Sequence, residues 1–91
     1  MRYEWDEAKR KLNIAKHGVD FTVLRDFDWR TALIRVDDRE DYGELREIAF
    51  GFIGVRLHAL VFTLRGEDLV RAIMLRRTTA KEVREYEEAQ G

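Results

Sequence analysis

From Thr31 onward the chain takes up a period of two and holds it for some 45 residues, broken only by short polar or glycine interruptions. Successive side chains of a strand point to opposite faces, so residues 31–36, 45–53, 55–64 and 69–75 read as four strands. In the second of them Ile48, Phe50 and Phe52 share one side, and the third is the most apolar stretch of the chain. The breaks are residues 37–43, Gly54 and the turn Arg65-Gly66-Glu67-Asp68. All are shorter than the roughly 12 residues that a parallel crossover needs, so these strands are expected to be antiparallel neighbours.

The flanks have helical character. Arg2-Tyr3-Glu4-Trp5 alternates as a short first strand, and Asp6 can cap a helix running to about His17, with Ala8, Leu12 and Ala15 on one face and Gly18 as its stop. Asp20 reads as a second N-cap, with Phe21, Val23, Leu24 and Phe27 in a short helix that ends near Asp28 and packs against the first. Thr79 and Glu82 form a capping-box pair that opens a last helix over residues 79–89. The expected order is β-α-α-β-β-β-β-α, an α+β fold with helices covering one face of an antiparallel sheet. With 91 residues, no proline, no serine and no repeat, the chain reads as one domain over residues 1–91.

Absence of cysteine removes disulfides, thiolate metal sites and a cysteine nucleophile together. No stretch approaches the roughly 18 apolar residues of a membrane span, and the start carries no signal-like run, so a soluble cytoplasmic protein is expected. The net charge of -1 conceals a sorting along the chain. Residues 20–47 hold nine acidic and five basic side chains, whereas residues 48–84 hold seven basic and three acidic. Thirteen of the 17 basic residues are arginine, the planar fork suited to phosphate and carboxylate.

The junction Met74-Leu75-Arg76-Arg77-Thr78-Thr79 concentrates this tendency. A helix start disfavours cations, yet two arginines precede the cap, and Lys81 and Arg84 follow in the first turns. One reading brings guanidinium forks and free helix-start N–H groups together on a phosphate. The other pairs them with the protein's own carboxylates, such as Glu82 or Glu85, as a surface network. Arg71 and Arg76 are an odd number apart and fall on opposite faces unless a bulge intervenes, which favours Arg76 at the strand end as the ligand-facing side chain. Glu82 and Tyr86, four apart on one helix face, could bracket a substrate or serve as cap and core residue. Lys16 and His17 suit the carbonyl end of the first helix, and His17 could also shuttle protons near neutral pH. His58, between Leu57 and Ala59, reads as structural. Two isolated histidines make no metal site, and no cofactor is expected.

Four blocks together resemble the BrnT toxin family. They are Trp5-Asp6-x-x-Lys9-x-x-x-Asn13-x-x-Lys16-His17-Gly18-Val19-x-Phe21, then Asp38-Arg39-x-Asp41-Tyr42-Gly43-Glu44-x-Arg46, then Thr63-x-Arg65-Gly66, and Arg71-x-Ile73-x-x-Arg76 followed by Glu82 and Tyr86. The resemblance implies a RelE-like fold and a ribonuclease toxin of a type II toxin–antitoxin pair that inhibits translation. It also implies a BrnA-like ribbon-helix-helix antitoxin that neutralises the toxin in a heterotetramer and alone contacts operator DNA. Met74-Leu75 stands where the family commonly has Ser-Ala, and Thr78 stands for a usual alanine.

The expected chemistry is metal-independent attack of a ribose 2′-hydroxyl on the adjacent phosphate, in which the RNA supplies the nucleophile. Arg76 and Arg77 are the candidates for holding the phosphate, with Lys16, Arg46, Arg65 and Lys81 as further substrate contacts. Arginine stays protonated, so proton transfer falls to Glu82, His17, Lys16 or Tyr86. The alternatives are a non-catalytic module that binds nucleic acid or an acidic protein partner, and a toxin homologue that has lost activity.

Overall fold

The computed structural model describes residues 1–91. Its elements are β1 (Arg2–Glu4), α1 (Glu7–His17), a 3-10 helix (Phe21–Asp26), β2 (Leu33–Val36), β3 (Glu47–Ile53), β4 (Arg56–Arg65), β5 (Leu69–Arg77) and α2 (Ala80–Gln90). They build a five-stranded sheet in the order β1-β5-β4-β3-β2. The four strands from β2 to β5 are antiparallel neighbours, as their short connections dictate. β1 departs from the expected all-antiparallel sheet by pairing parallel to β5. Most of the chain separates these two strands, so no tight turn constrains their relative direction.

The second expected helix is a 3-10 helix of six residues. Asp20 caps it by accepting from the Thr22 N–H, and Phe21 and Leu24, three apart and therefore on one side of a 3-10 turn, are both fully buried. Phe27 then runs extended and bridges to Ile53, against Gly51. The apolar face expected on α1 is not its buried face: Leu12 is 68% exposed, and the buried residue of α1 is Asn13.

Helices lie against both faces of the sheet rather than one. Alternation sends Ala49, Leu60, Phe62, Val70, Ala72 and Leu75 to a core shared with Val19, Phe21, Leu24 and Phe27. Phe50, Leu57 and Ala59 face the other way and pack with Tyr86 and Val83 of α2. α2 opens as its sequence foretells, with Thr79 and Glu82 in a reciprocal capping box.

β5 keeps its core side in phase only through a bulge. Val61 pairs with Met74 and Phe62 with Ala72, leaving Ile73 as an extra residue. The core-facing positions therefore run Val70, Ala72, Leu75, and Arg71, Met74 and Arg76 share the opposite face. Simple alternation would have set Arg71 and Arg76 apart; the bulge brings them to one side.

Candidate active site

β1 pairs with β5 only as far as Arg71, so along the far half of β5 the edge opposite β4 has no strand. Asn13 takes that strand's place. Its side-chain amide donates to the Leu75 carbonyl at 2.8 Å and to the Val19 carbonyl at 2.9 Å, and its carbonyl oxygen accepts the Leu75 N–H at 3.1 Å. This pins α1 along the β5 edge. His17 lies one turn beyond Asn13 on the same helix face, and Gly18 ends the helix in the left-handed conformation at φ 71°. Lys16 and His17 thereby arrive beside Arg76, the residue after Leu75.

A hollow of about 320 Å³ opens there. Val61, Ile73 and Met74 give it apolar walls on the sheet, Lys16, His17 and Arg76 line one side, and Asp37, Arg39, Tyr42 and Arg46 line the other. Burial, then the charges of Lys16 and Arg76, lowers the His17 pKa from its ordinary value, which favours the neutral ring. Asp37 has a side chain only 2% exposed and accepts Nε and Nη2 of Arg39 at 2.7 and 2.8 Å, which holds its carboxyl below the usual range. The Arg46 guanidinium carbon sits 4.0 Å from the centre of the Tyr42 ring.

Arg76 is not an open fork. Its Nη1 and Nη2 donate to the two oxygens of Glu82 at 2.8 Å each, and Nη1 also reaches the Arg77 carbonyl at 3.2 Å. Of five guanidinium N–H groups, two remain free. Glu82 in turn accepts the Thr79 N–H, and the Arg76 bond first of all depresses its pKa to about 2. The helix-start amides expected to meet a phosphate are thus partly engaged by Glu82.

Of the residues singled out from sequence, Lys16, His17, Arg46 and Arg76 line this hollow, with Glu82 attached through Arg76. The others lie elsewhere. Arg77 falls on the opposite face of β5 from Arg76 and is exposed. Tyr86 is buried against Phe52 and donates its hydroxyl to the Thr31 carbonyl at 2.7 Å. Lys81 is 78% exposed beside Glu85, and Arg65 faces Glu44 at 4.0 Å. Arg39, Tyr42 and Asp37 join the hollow without having been singled out for chemistry; the signal for Arg39 and Tyr42 was the Asp38-to-Arg46 block, where a tyrosine and two arginines fall within eight residues, and Asp37 just before it carried none. His58, expected to be structural and half-buried, is buried, its Nδ1 2.9 Å from the Arg56 carbonyl, and burial lowers its pKa. No three His, Asp or Glu side chains cluster closely enough to hold a metal ion.

The five-stranded sheet with helices against both faces places the chain among small α+β proteins, with a basic hollow beside the last strand. Its family follows from comparison: residues 5–82 match the model of "Ribonuclease toxin, BrnT, of type II toxin-antitoxin system", and the chain belongs to that family. The crystal structure of the Brucella abortus ribonuclease toxin BrnT is similar, with 32% identity and a TM-score of 0.65 over 87% of this chain and 97% of that one. No curated protein matches the chain. The resemblance drawn from the four sequence blocks therefore holds.

Proposed function

We propose that the chain is an endoribonuclease toxin with a RelE-like fold, which cleaves RNA in the cytoplasm, inhibits translation, and is neutralised by a BrnA-like ribbon-helix-helix antitoxin in a heterotetramer. Operator DNA is contacted through the antitoxin alone. The observation that carries the reading is the meeting of Lys16, His17, Arg46 and Arg76 in one hollow of a family member whose net charge is only -1. A hollow of about 320 Å³ with three arginines and a neutral histidine suits a phosphodiester and the groups that would act on it.

In this reading the reaction requires no metal. His17 removes the proton of the ribose 2′-hydroxyl, whose oxygen attacks the neighbouring phosphorus. The bond to the 5′ oxygen breaks, that oxygen takes a proton, and the products end in a 2′,3′-cyclic phosphate and a 5′-hydroxyl. The free N–H groups of Arg76 stabilise the charge that gathers on the phosphoryl oxygens, and Arg46 serves as a substrate-binding contact. Lys16, beside His17 in the hollow, is the candidate donor to the leaving oxygen. Glu82 is a poor base, because its pKa of about 2 leaves it little affinity for a proton.

The test is cleavage of a single-stranded RNA by the purified chain in excess chelator, with end-group analysis. Cyclic-phosphate ends are expected, as is a loss of at least about 100-fold in Arg76→Ala. An undiminished rate in that variant, or a wild-type chain that cleaves only with added divalent metal, overturns the assignment.

A further inference from the structure

The three arginines of the hollow are bonded differently. Arg39 is occupied by Asp37, and Arg76 gives three of its N–H groups to Glu82 and the Arg77 carbonyl. The Arg46 guanidinium has no hydrogen-bond partner: its Nε is buried and unpartnered, and the nearest carboxylate oxygen, on Glu44, lies 3.7 Å away. What holds it is the Tyr42 ring, 4.0 Å from its central carbon. A stacked guanidinium is attracted through its face, while its N–H donors lie in its plane and point away from the ring. The ring therefore fixes the group without using its donors, and the Nη groups, unlike the buried Nε, remain open to a ligand.

The ring is held by the same loop. Asp37 donates its backbone N–H to the Arg46 carbonyl at 2.8 Å, and its carboxylate, anchored by Arg39, lies 3.4 Å from the Tyr42 hydroxyl. A second observation points to the same place. Only one other buried side-chain polar atom lacks a partner, Oγ1 of Thr63. Extending the β3–β4 register one step beyond the pair Glu47 and Phe62 sets Arg46 across from Thr63. Buried polar groups without partners are costly and rare, and both of this molecule's belong to residues that the extended β3–β4 register sets across from one another.

We propose that Tyr42 is a positioning residue, which holds the Arg46 guanidinium with its donors available to the phosphodiester of a single-stranded RNA. The proposal rests on the ribonuclease reading above and assigns the binding of one phosphate to the pair. Arg39, neutralised by Asp37, shapes the loop and contributes little to binding.

A double-mutant cycle tests it, read by the dissociation constant for a fully 2′-O-methylated oligonucleotide, which cannot be cleaved, alongside kcat and KM on its cleavable counterpart. Arg46→Ala is expected to weaken binding about 10-fold, and Tyr42→Leu by nearly as much, through KM more than kcat. Tyr42→Phe, which keeps the ring, restores binding to within about twofold. The double variant Tyr42→Leu with Arg46→Ala should bind no more weakly than Arg46→Ala alone. Effects that multiply, or Tyr42→Leu binding as the wild type does, overturn the positioning role. Should Tyr42→Leu not fold, the Arg46 Nε–H resonance of the wild type decides: it should be shifted by the ring and move when the oligonucleotide is added, and a resonance that stays still refutes the proposal. Intact binding without cleavage overturns the ribonuclease reading alone; no binding by the wild type overturns both.

Discussion

At the scale of single residues, two side chains hold the site together. Asn13 completes the β5 edge, so Asn13→Ala leaves the buried Leu75 N–H and two carbonyls without partners. A loss of about 2–4 kcal/mol in stability is expected from urea unfolding, and a change within 0.5 kcal/mol (roughly the surface-substitution range) would show that the edge needs no surrogate. Glu82 carries a pH signature. Its folded pKa of about 2 lies below the ordinary 4.5, chiefly because of Arg76, so the unfolded chain binds the proton more readily. The stabilisation is complete above about pH 4.5 and disappears as pH falls toward 2. Melting curves between pH 2 and 7 should therefore slope less in Glu82→Gln than in the wild type over that window; parallel curves would deny the coupling. His17 gives the matching kinetic test. The base works when neutral, so the cleavage rate should rise with pH through a pKa below 6.5 and then level off, and that limb should vanish in His17→Gln. Asn13 was unreadable beforehand, because a polar residue on an otherwise polar helix face gives no sign that a strand edge lies beneath it.

At the scale of elements, alternation and caps were legible and phase was not. The four strands from β2 to β5, the α2 capping box and the Gly18 stop follow from local chemistry that the residues carry openly. The Ile73 bulge does not, since an extra residue in an apolar run leaves no local mark; only pairing with β4 reveals it. That one residue decides which face Arg76 occupies, and hence whether Arg76 meets His17. The capping box shows the same limit in another form. It was readable as a helix start, and pairing of the junction arginines with Glu82 was one of two open readings; what no local pattern decided was that one carboxylate would serve both Thr79 and Arg76. Phe27 packs directly on β3 at Gly51: a Cβ there would stand 2.5 Å from the Phe27 ring. Gly51→Ala should cost about 1–3 kcal/mol through overpacking. Because the clash is with a side chain, adding Phe27→Leu should recover part of the loss. Additive losses in the double variant would place the strain in the backbone instead.

At the scale of the whole molecule, cations and anions are separated although they nearly cancel. Lys16, Arg39, Arg46 and Arg76 converge on one hollow with a single carboxylate, Asp37, among its lining residues, while Asp38, Glu40 and Asp41 lie on the exposed outer part of the same loop. Binding of a nucleic-acid strand should therefore be local. Of the four cations Arg39 is paired with Asp37 and Arg76 with Glu82, which leaves about two phosphates' worth of contact, and a single strand releases roughly 0.7 counterions per phosphate. The affinity for a noncleavable strand should then vary with salt to a power of about -1.4, a fall of roughly 7-fold between 50 and 200 mM. A protein coated with cations would show a far steeper slope. Arg46→Ala should lower the slope by close to one contact, whereas Arg77→Ala, on the opposite face of β5, should leave it unchanged. An equal effect of the two substitutions would mean that the strand runs over the end of β5 and not into the hollow.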